Sequence, residues 1–150
     1  MSVTMKDVRT QLEPDEPDYA NAAQLGADAI PYLNELINGD DIMLASKAAY
    51  LASLIKSENS ISILENAARS PQPTVRVAVA SGLRNLSEEN ADRVSNLLIE
   101  DDDAGVRKIT VKSISQFRSP ALIAKVRKLA NEDPEPFIRD LASRTIEDRR

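Results

Sequence analysis

The residues that could do chemistry are few and of a narrow kind. The sequence has neither histidine nor cysteine. That removes the commonest general base, the commonest zinc ligand and every thiolate, and with them all Ser-His-Asp and Cys-His arrangements. Carboxylates, lysines, arginines and three tyrosines remain. The densest acidic group is Glu100-Asp101-Asp102-Asp103. A calcium loop alternates its ligands and closes on a bidentate Glu; this run does neither, so its chemistry is that of a turn and a helix cap. Carboxylate-pair catalysis needs two such groups facing one apolar pocket, and the spacing places no such pair. Lys108 and Lys112 stand one helical turn apart and form a clasp for a carboxylate. With Arg118, Lys125, Arg127 and Lys128 they make a basic stretch, but these residues alternate with apolar ones on two helices, the pattern of a solvated face. No catalytic residue, metal ligand or cofactor is expected.

The composition points the same way. At 150 residues the chain is long enough for one domain with a sizeable core. Aromatic residues are only 3%, so the core must be built from Ala, Leu, Ile and Val. The net charge of −5 argues against a nucleic acid partner. The charge is uneven: residues 1–75 carry 11 acidic against 5 basic side chains, and residues 76–150 carry 13 against 14. No apolar run reaches the ~20 residues needed to span a bilayer, and Lys6, Asp7 and Arg9 stand where a signal peptide needs an apolar core, so a cytoplasmic protein is expected.

The elements that must position these residues are helices throughout. Apolar residues recur at three- and four-residue spacing, and no period-2 strand pattern interrupts them. Val3, Val8 and Leu12 suggest a short helix, broken by Pro14 and Pro17; Asp18 to Gly26 suggests a second. The expected helices then run 28–38, 42–56, 61–69, 74–86, 90–100, 104–117, 119–131 and 137–148. Met43, Ala48, Leu51, Leu54 and Ile55 mark the inner side of the second of these, and Thr74 is the expected N-cap of the fourth.

Within this pattern one motif returns. Val75-Arg76, Val106-Arg107 and Ile138-Arg139 each open a helix, 31 and then 32 residues apart. A period in this range marks a stacked repeat array. One helical hairpin cannot bury its own apolar face, so neighbours must stack into a continuous core. Leu51, Leu83, Ile114 and Ile146 stand at matching places, with Leu54, Leu86, Phe117 and Arg149 three residues on; Ala48, Ala80 and Ser113 allow close approach.

The Val75-Arg76-x-x-x-Ala80-x-Gly82-Leu83 and Val106-Arg107 copies resemble HEAT repeats, particularly the short bacterial type. The resemblance implies an all-α, right-handed α-solenoid. It divides a single domain into a degenerate N-terminal cap (1–27) and four repeats (28–58, 59–87, 88–118 and 119–150). It also implies an Arg–Asp ladder between neighbouring units. Leu44 stands where the other units have Arg, and Pro71-Gln72-Pro73 where neighbours have Asp, so the ladder is expected to be partial and weakest between the second and third units.

In HEAT-like arrays the second helices line the concave face. Counted from the aliphatic-Arg pair, the exposed positions there are Ala45, Ser46, Ala49 and Ser53; Val77, Ala78, Ser81 and Asn85; Lys108, Ile109, Lys112 and Gln116; and Asp140, Leu141, Arg144 and Asp148. The first two units thus present small, uncharged residues, and the last two present charges around one aliphatic. Such a groove suits a peptide or a partner's helix. The expectation is a non-catalytic, monomeric protein-binding adaptor or regulatory module, its C-terminal end capped by the polar Asp148-Arg149-Arg150. One competing view has the segment 3–12 filling the groove itself. A second has a bilin-lyase-like enzyme or pigment chaperone of the HEAT-like class, which must grip a tetrapyrrole; three Tyr, two Phe and no His offer little for that. DNA-alkylation-repeat glycosylases, also HEAT-like, use a basic, aromatic-bearing face that this acidic, Trp-free chain lacks.

Overall fold

Ten α-helices are laid down in chain order in the computed structural model, which describes residues 2–148: α1 (Met5–Leu12), α2 (Tyr19–Ala22), α3 (Ile30–Ile37), α4 (Ile42–Leu54), α5 (Glu58–Ala67), α6 (Pro73–Gly82), α7 (Glu88–Ser95), α8 (Ala104–Ile114), α9 (Pro120–Glu132) and α10 (Pro136–Glu147). The expectations placed on Arg149 and Arg150 lie outside the described residues.

Local chemistry sets the boundaries. Thr4 and Asp7 form a capping box at α1. Asp41 and Asp103 cap α4 and α8, accepting from the Leu44 and Val106 amides at 3.0 and 3.1 Å. Thr74 does not cap α6: Pro73 occupies the first helical position and Gln72 precedes it without a side-chain bond, because a residue preset at helical φ starts the helix one step earlier. The helix expected over 18–26 is α2 followed by a 3-10 segment, Ala23–Ala29, in which Gly26 takes φ 70°, a left-handed conformation that glycine adopts at little cost. Likewise α6 ends at Gly82 and runs into a 3-10 turn, Leu83–Asn85.

From α3 onward the helices form two layers. α3, α5, α7 and α9 make one row; α4, α6, α8 and α10 make the other. The core lies between them, built on Leu33, Leu51, Leu64, Leu83, Leu98, Ile114, Leu122 and Ile138, all fully buried. α4, α6 and α8 pack against one another more closely than α3, α5 and α7 do, so the even row is on the inner side of the curve. α1, α2 and the 3-10 segment close the first end against α3 and α4.

The repeat phase of the first unit differs from the expected one by a single residue. Leu44 is buried as Val75, Val106 and Ile138 are, while Met43, expected inside, is 61% exposed. Leu44 therefore holds the aliphatic place, Ala45 the arginine place, and Ala52, not Leu51, lies level with Leu83 and Ile114. The steps between units are 31, 31 and 32 residues. Counting from the cap gives this register directly, since Asp41 precedes Leu44 as Asp103 precedes Val106.

The ladder is real, and its gap sits elsewhere than expected. Arg76 makes a two-pronged pair with Asp101, Nε at 2.8 Å and Nη2 at 3.1 Å; Arg107 does the same with Asp133, at 2.8 and 3.2 Å. Each arginine also donates through Nη1 to the carbonyl of its own turn: Arg76 to Ser70, Arg107 to Asp101, Arg139 to Asp133, at 2.7, 2.8 and 2.6 Å. The junction between the second and third units is thus fully laddered. The junction without a rung is the first, where Ala45 replaces the arginine and Ser70 replaces the aspartate.

Candidate partner-binding face

The corrected register decides which side chains the inner row offers. Ala45, Ala49 and Ser53 are buried, not exposed, because this stripe of α4 turns toward α6. Its contact is close: a Cβ built on Gly82 would stand 2.6 Å from Ser53 Cβ, so glycine is required there. The residues that take their places on the outward face are Lys47, Tyr50 and Leu54, beside Ser46. The capping aspartate was the signal that could have found them.

In the second unit Val77, Ala78, Ser81 and Asn85 lie together, all half-buried. In the third Lys108 and Ile109 are half-buried while Lys112 and Gln116 are exposed, and in the fourth Asp140, Arg144 and Asp148 are exposed beside half-buried Leu141. Each of α4, α6, α8 and α10 thus contributes residues to this face.

Two of its polar members are spent inside the array. Asn85 Nδ2 donates to Ser53 Oγ at 3.0 Å, and Gln116 Nε2 donates to the Arg84 carbonyl at 2.7 Å. These are equivalent bonds, since Ser53 and Arg84 share one repeat position. They tie the end of α6 to α4 and the end of α8 to that of α6. What remains as an open floor is Val77, Ala78, Ser81 and Ile109, with Lys108 and Lys112 at one side; among the described residues neither lysine has an ion-pair partner.

The N-terminal segment meets the first end of this face. Lys47 Nζ donates to the Pro14 carbonyl at 2.8 Å, and the Tyr19 and Tyr50 rings meet edge to face at 4.8 Å. Burial, and after it the neighbouring Tyr50, pushes the Tyr19 phenol above its ordinary pKa, which keeps it neutral. Beyond the N-terminal segment itself, the main packing of α1 and α2 is against α3 and α4.

Several other charged residues link neighbouring units. Lys125 Nζ is held by the Asp92 carboxylate and carbonyl and by Ser95 Oγ, and Lys128 pairs with Glu100. Glu65 takes a fork from Arg93 at 2.9 and 3.1 Å. Two members of the basic stretch, Lys125 and Lys128, are thereby tied to acidic residues of the preceding unit, and no grouping of three or more metal-ligating side chains occurs among the described residues. No helix among them is long and apolar enough to cross a membrane.

Comparison with known proteins follows the same lines. A family model described as HEAT repeats matches residues 61–147, more than half of the chain. A search of curated proteins gives no match to the sequence. Among solved structures the chain is similar to a subunit in the complex of CpcE and CpcF of phycocyanin lyase from Nostoc sp. PCC7120. The TM-score is 0.69 at 18% identity, over 94% of this chain and 96% of that one. At 94% of the chain this likeness extends beyond the family match, into the residues before 61.

Proposed function

Since the chain belongs to the HEAT-repeat family, we propose that it is a non-catalytic protein-binding module that seats a peptide or partner helix along the inner strip of α6 and α8. The observation that carries this reading is the floor of Val77, Ala78, Ser81 and Ile109. It is smooth and half-buried, held by the Asn85 and Gln116 bonds, and flanked by two lysines without ion-pair partners. A small-residue strip of this kind lets a helix approach closely, and Lys108 and Lys112 favour a partner with a carboxylate at that end. Likeness to a subunit of the complex of CpcE and CpcF supports a polypeptide partner. The module acts as a monomer in this reading, which light scattering tests.

The test begins with affinity purification from the native host and then uses the purified partner in titrations. Ala78→Glu and Ser81→Glu should each weaken binding at least about tenfold, the cost of burying an unpaired charge in an interface. Arg127→Glu, on the outer row, should leave it unchanged. Equal affinity for all three variants would reject the face.

The likeness to a phycocyanin lyase subunit favours a second reading, a lyase-like protein or pigment chaperone of the HEAT-like class. Incubation with a free bilin separates the two. A shift in the pigment's absorbance that Tyr50→Ala abolishes supports the second reading, and an unchanged spectrum supports the first.

A further inference from the structure

The ladder carries one more arginine than it has aspartates to meet. Arg76, Arg107 and Arg139 each donate through Nη1 to the carbonyl six residues back, at 2.7, 2.8 and 2.6 Å. That shared bond pins one end of the guanidinium and leaves its Nε–Nη2 edge as a fork. For Arg76 and Arg107 the fork meets the aspartate that heads the next turn, Asp101 or Asp133. For Arg139 it meets no acceptor among the described residues.

The helix side around this fork is uncovered in the same way. Counted 32 residues on from α8, Ile138 and Ala142 are buried as Val106 and Thr110 are. Arg139, Ser143 and Ile146 are only half-buried, whereas Arg107, Val111 and Ile114 are buried. These three belong to the stripe by which an inner helix meets the next, as Ala45 and Ala49 of α4 meet α6. On α10 the stripe starts with a charged fork, continues through a small and an aliphatic residue, and ends beside exposed Glu147.

We propose that this stripe of α10 seats an acidic turn of another polypeptide, with an aspartate at the head of that turn accepting the Arg139 fork. Two features of the array define the occupant. The fork is bidentate, so a carboxylate satisfies it and a neutral amide or single hydroxyl does not. The two aspartates already gripped in this way each accept the amide two residues on, Asp103 or Glu135, at 2.9 Å. Their short side chain is thus held by its own turn, so little freedom is lost on pairing. The stripe is a different side of α10 from the one in the inner strip, and the inference stands apart from the reading of that strip.

The experiment follows the Arg139 Nε–H resonance and the Ser143 amide by NMR in the full chain. The probe is N-acetyl-Asp-Pro-Glu-Pro-amide, the sequence at 133–136 whose leading aspartate Arg107 grips. Saturable shifts should appear at both groups, while the Nε–H of Arg127, an exposed arginine of the outer row, stays in place. The counterpart led by asparagine should bind at least about threefold more weakly. Arg139→Lys, which keeps the charge and loses the fork, should weaken the aspartate-led probe by at least about threefold. No saturable shift, equal binding of the asparagine-led probe, equal movement at Arg127, or undiminished binding in a folded Arg139→Lys variant would overturn the proposal. So would shifts that follow protein concentration without any probe, which would assign the stripe to a second copy of the chain. Should Arg139→Lys fail to fold, the comparison of the two probes on the parent chain decides alone.

Discussion

Between α4 and α6 the helices meet through Ala45, Ala49 and Ser53 on one side and Gly82 on the other; between α8 and α10 they meet around Arg107 and Asp133. The first contact is the closest between any two helices of the inner row, and the last is looser. Small side chains let backbones approach and gain dispersion without taking charge out of water. An arginine needs room, and its rung must recover the desolvation of two ions through good geometry and further bonds to carbonyls. The array therefore uses two kinds of joint. One depends on the absence of atoms, the other on the presence of both partners. The middle junction has the rung of the second kind and the Asn85-type strut of the first, with Arg84 reaching Ser113 at 3.5 Å where Ser53 meets Gly82.

The largest effect should come from the charged joint. Arg107 is 7% exposed and Asp133 2%. Arg107→Ala leaves Asp133 buried and unpaired and should cost about 3–5 kcal/mol in urea unfolding, a large part of the total stability of such a domain. Replacing both residues by leucine should cost clearly less, since no charge is stranded. A single and double replacement of equal cost would show that the pair itself, not the stranded ion, carries the joint. The small-residue joint breaks in the opposite way. Gly82→Ala puts a methyl 2.6 Å from Ser53 and should cost about 1–3 kcal/mol through overpacking, much of it recovered by adding Ser53→Gly. At the middle junction Arg76→Lys keeps the charge but loses the fork. It should lose ~1.5 kcal/mol, and the same substitution has no counterpart at the first junction, where Ala45 stands.

These joints were unequally legible in the sequence. The helices, the two layers and the core residues followed from apolar spacing, and the Val-Arg and Ile-Arg pairs marked three of the four units, because a residue that must be both buried and charged leaves a distinctive dipeptide. The first unit lacks that dipeptide. Met43 and Leu44 are both apolar and adjacent, so periodicity alone cannot say which faces inward, and choosing Met43 moved Ala45, Ala49 and Ser53 onto a surface they do not occupy. Asp41 carried the missing information through its cap. The place of the ladder gap was misjudged for a related reason. The expectation rests on Pro71-Gln72-Pro73, whereas the rung uses Asp101 and Asp133, whose counterpart is Ser70, one residue earlier. Which polar residues of the strip are spent internally was not legible at all, since Asn85 and Gln116 find their partners 32 residues away.

The smallest effect belongs to the outer row, where charges link the units at the surface. The hydrogen bond and charge of Lys128 hold the Glu100 carboxyl below its ordinary pKa, and Glu100 in turn raises that of Lys128. A carboxyl whose folded pKa is lowered stabilises the fold above its unfolded value, and that contribution is lost as pH falls through the folded value; the raised lysine contributes below its unfolded value and loses its share as pH climbs through the folded one. The pair thus acts across the neutral range and fades on both sides. Both side chains are well exposed, so solvent screens them and the contribution stays small and salt-sensitive. Glu100→Gln should accordingly lower the Tm slightly at neutral pH in low salt, and the difference from the parent should vanish in acid and in high salt. A difference that persists in high salt would place this surface pair with the buried rung at Arg107 rather than apart from it.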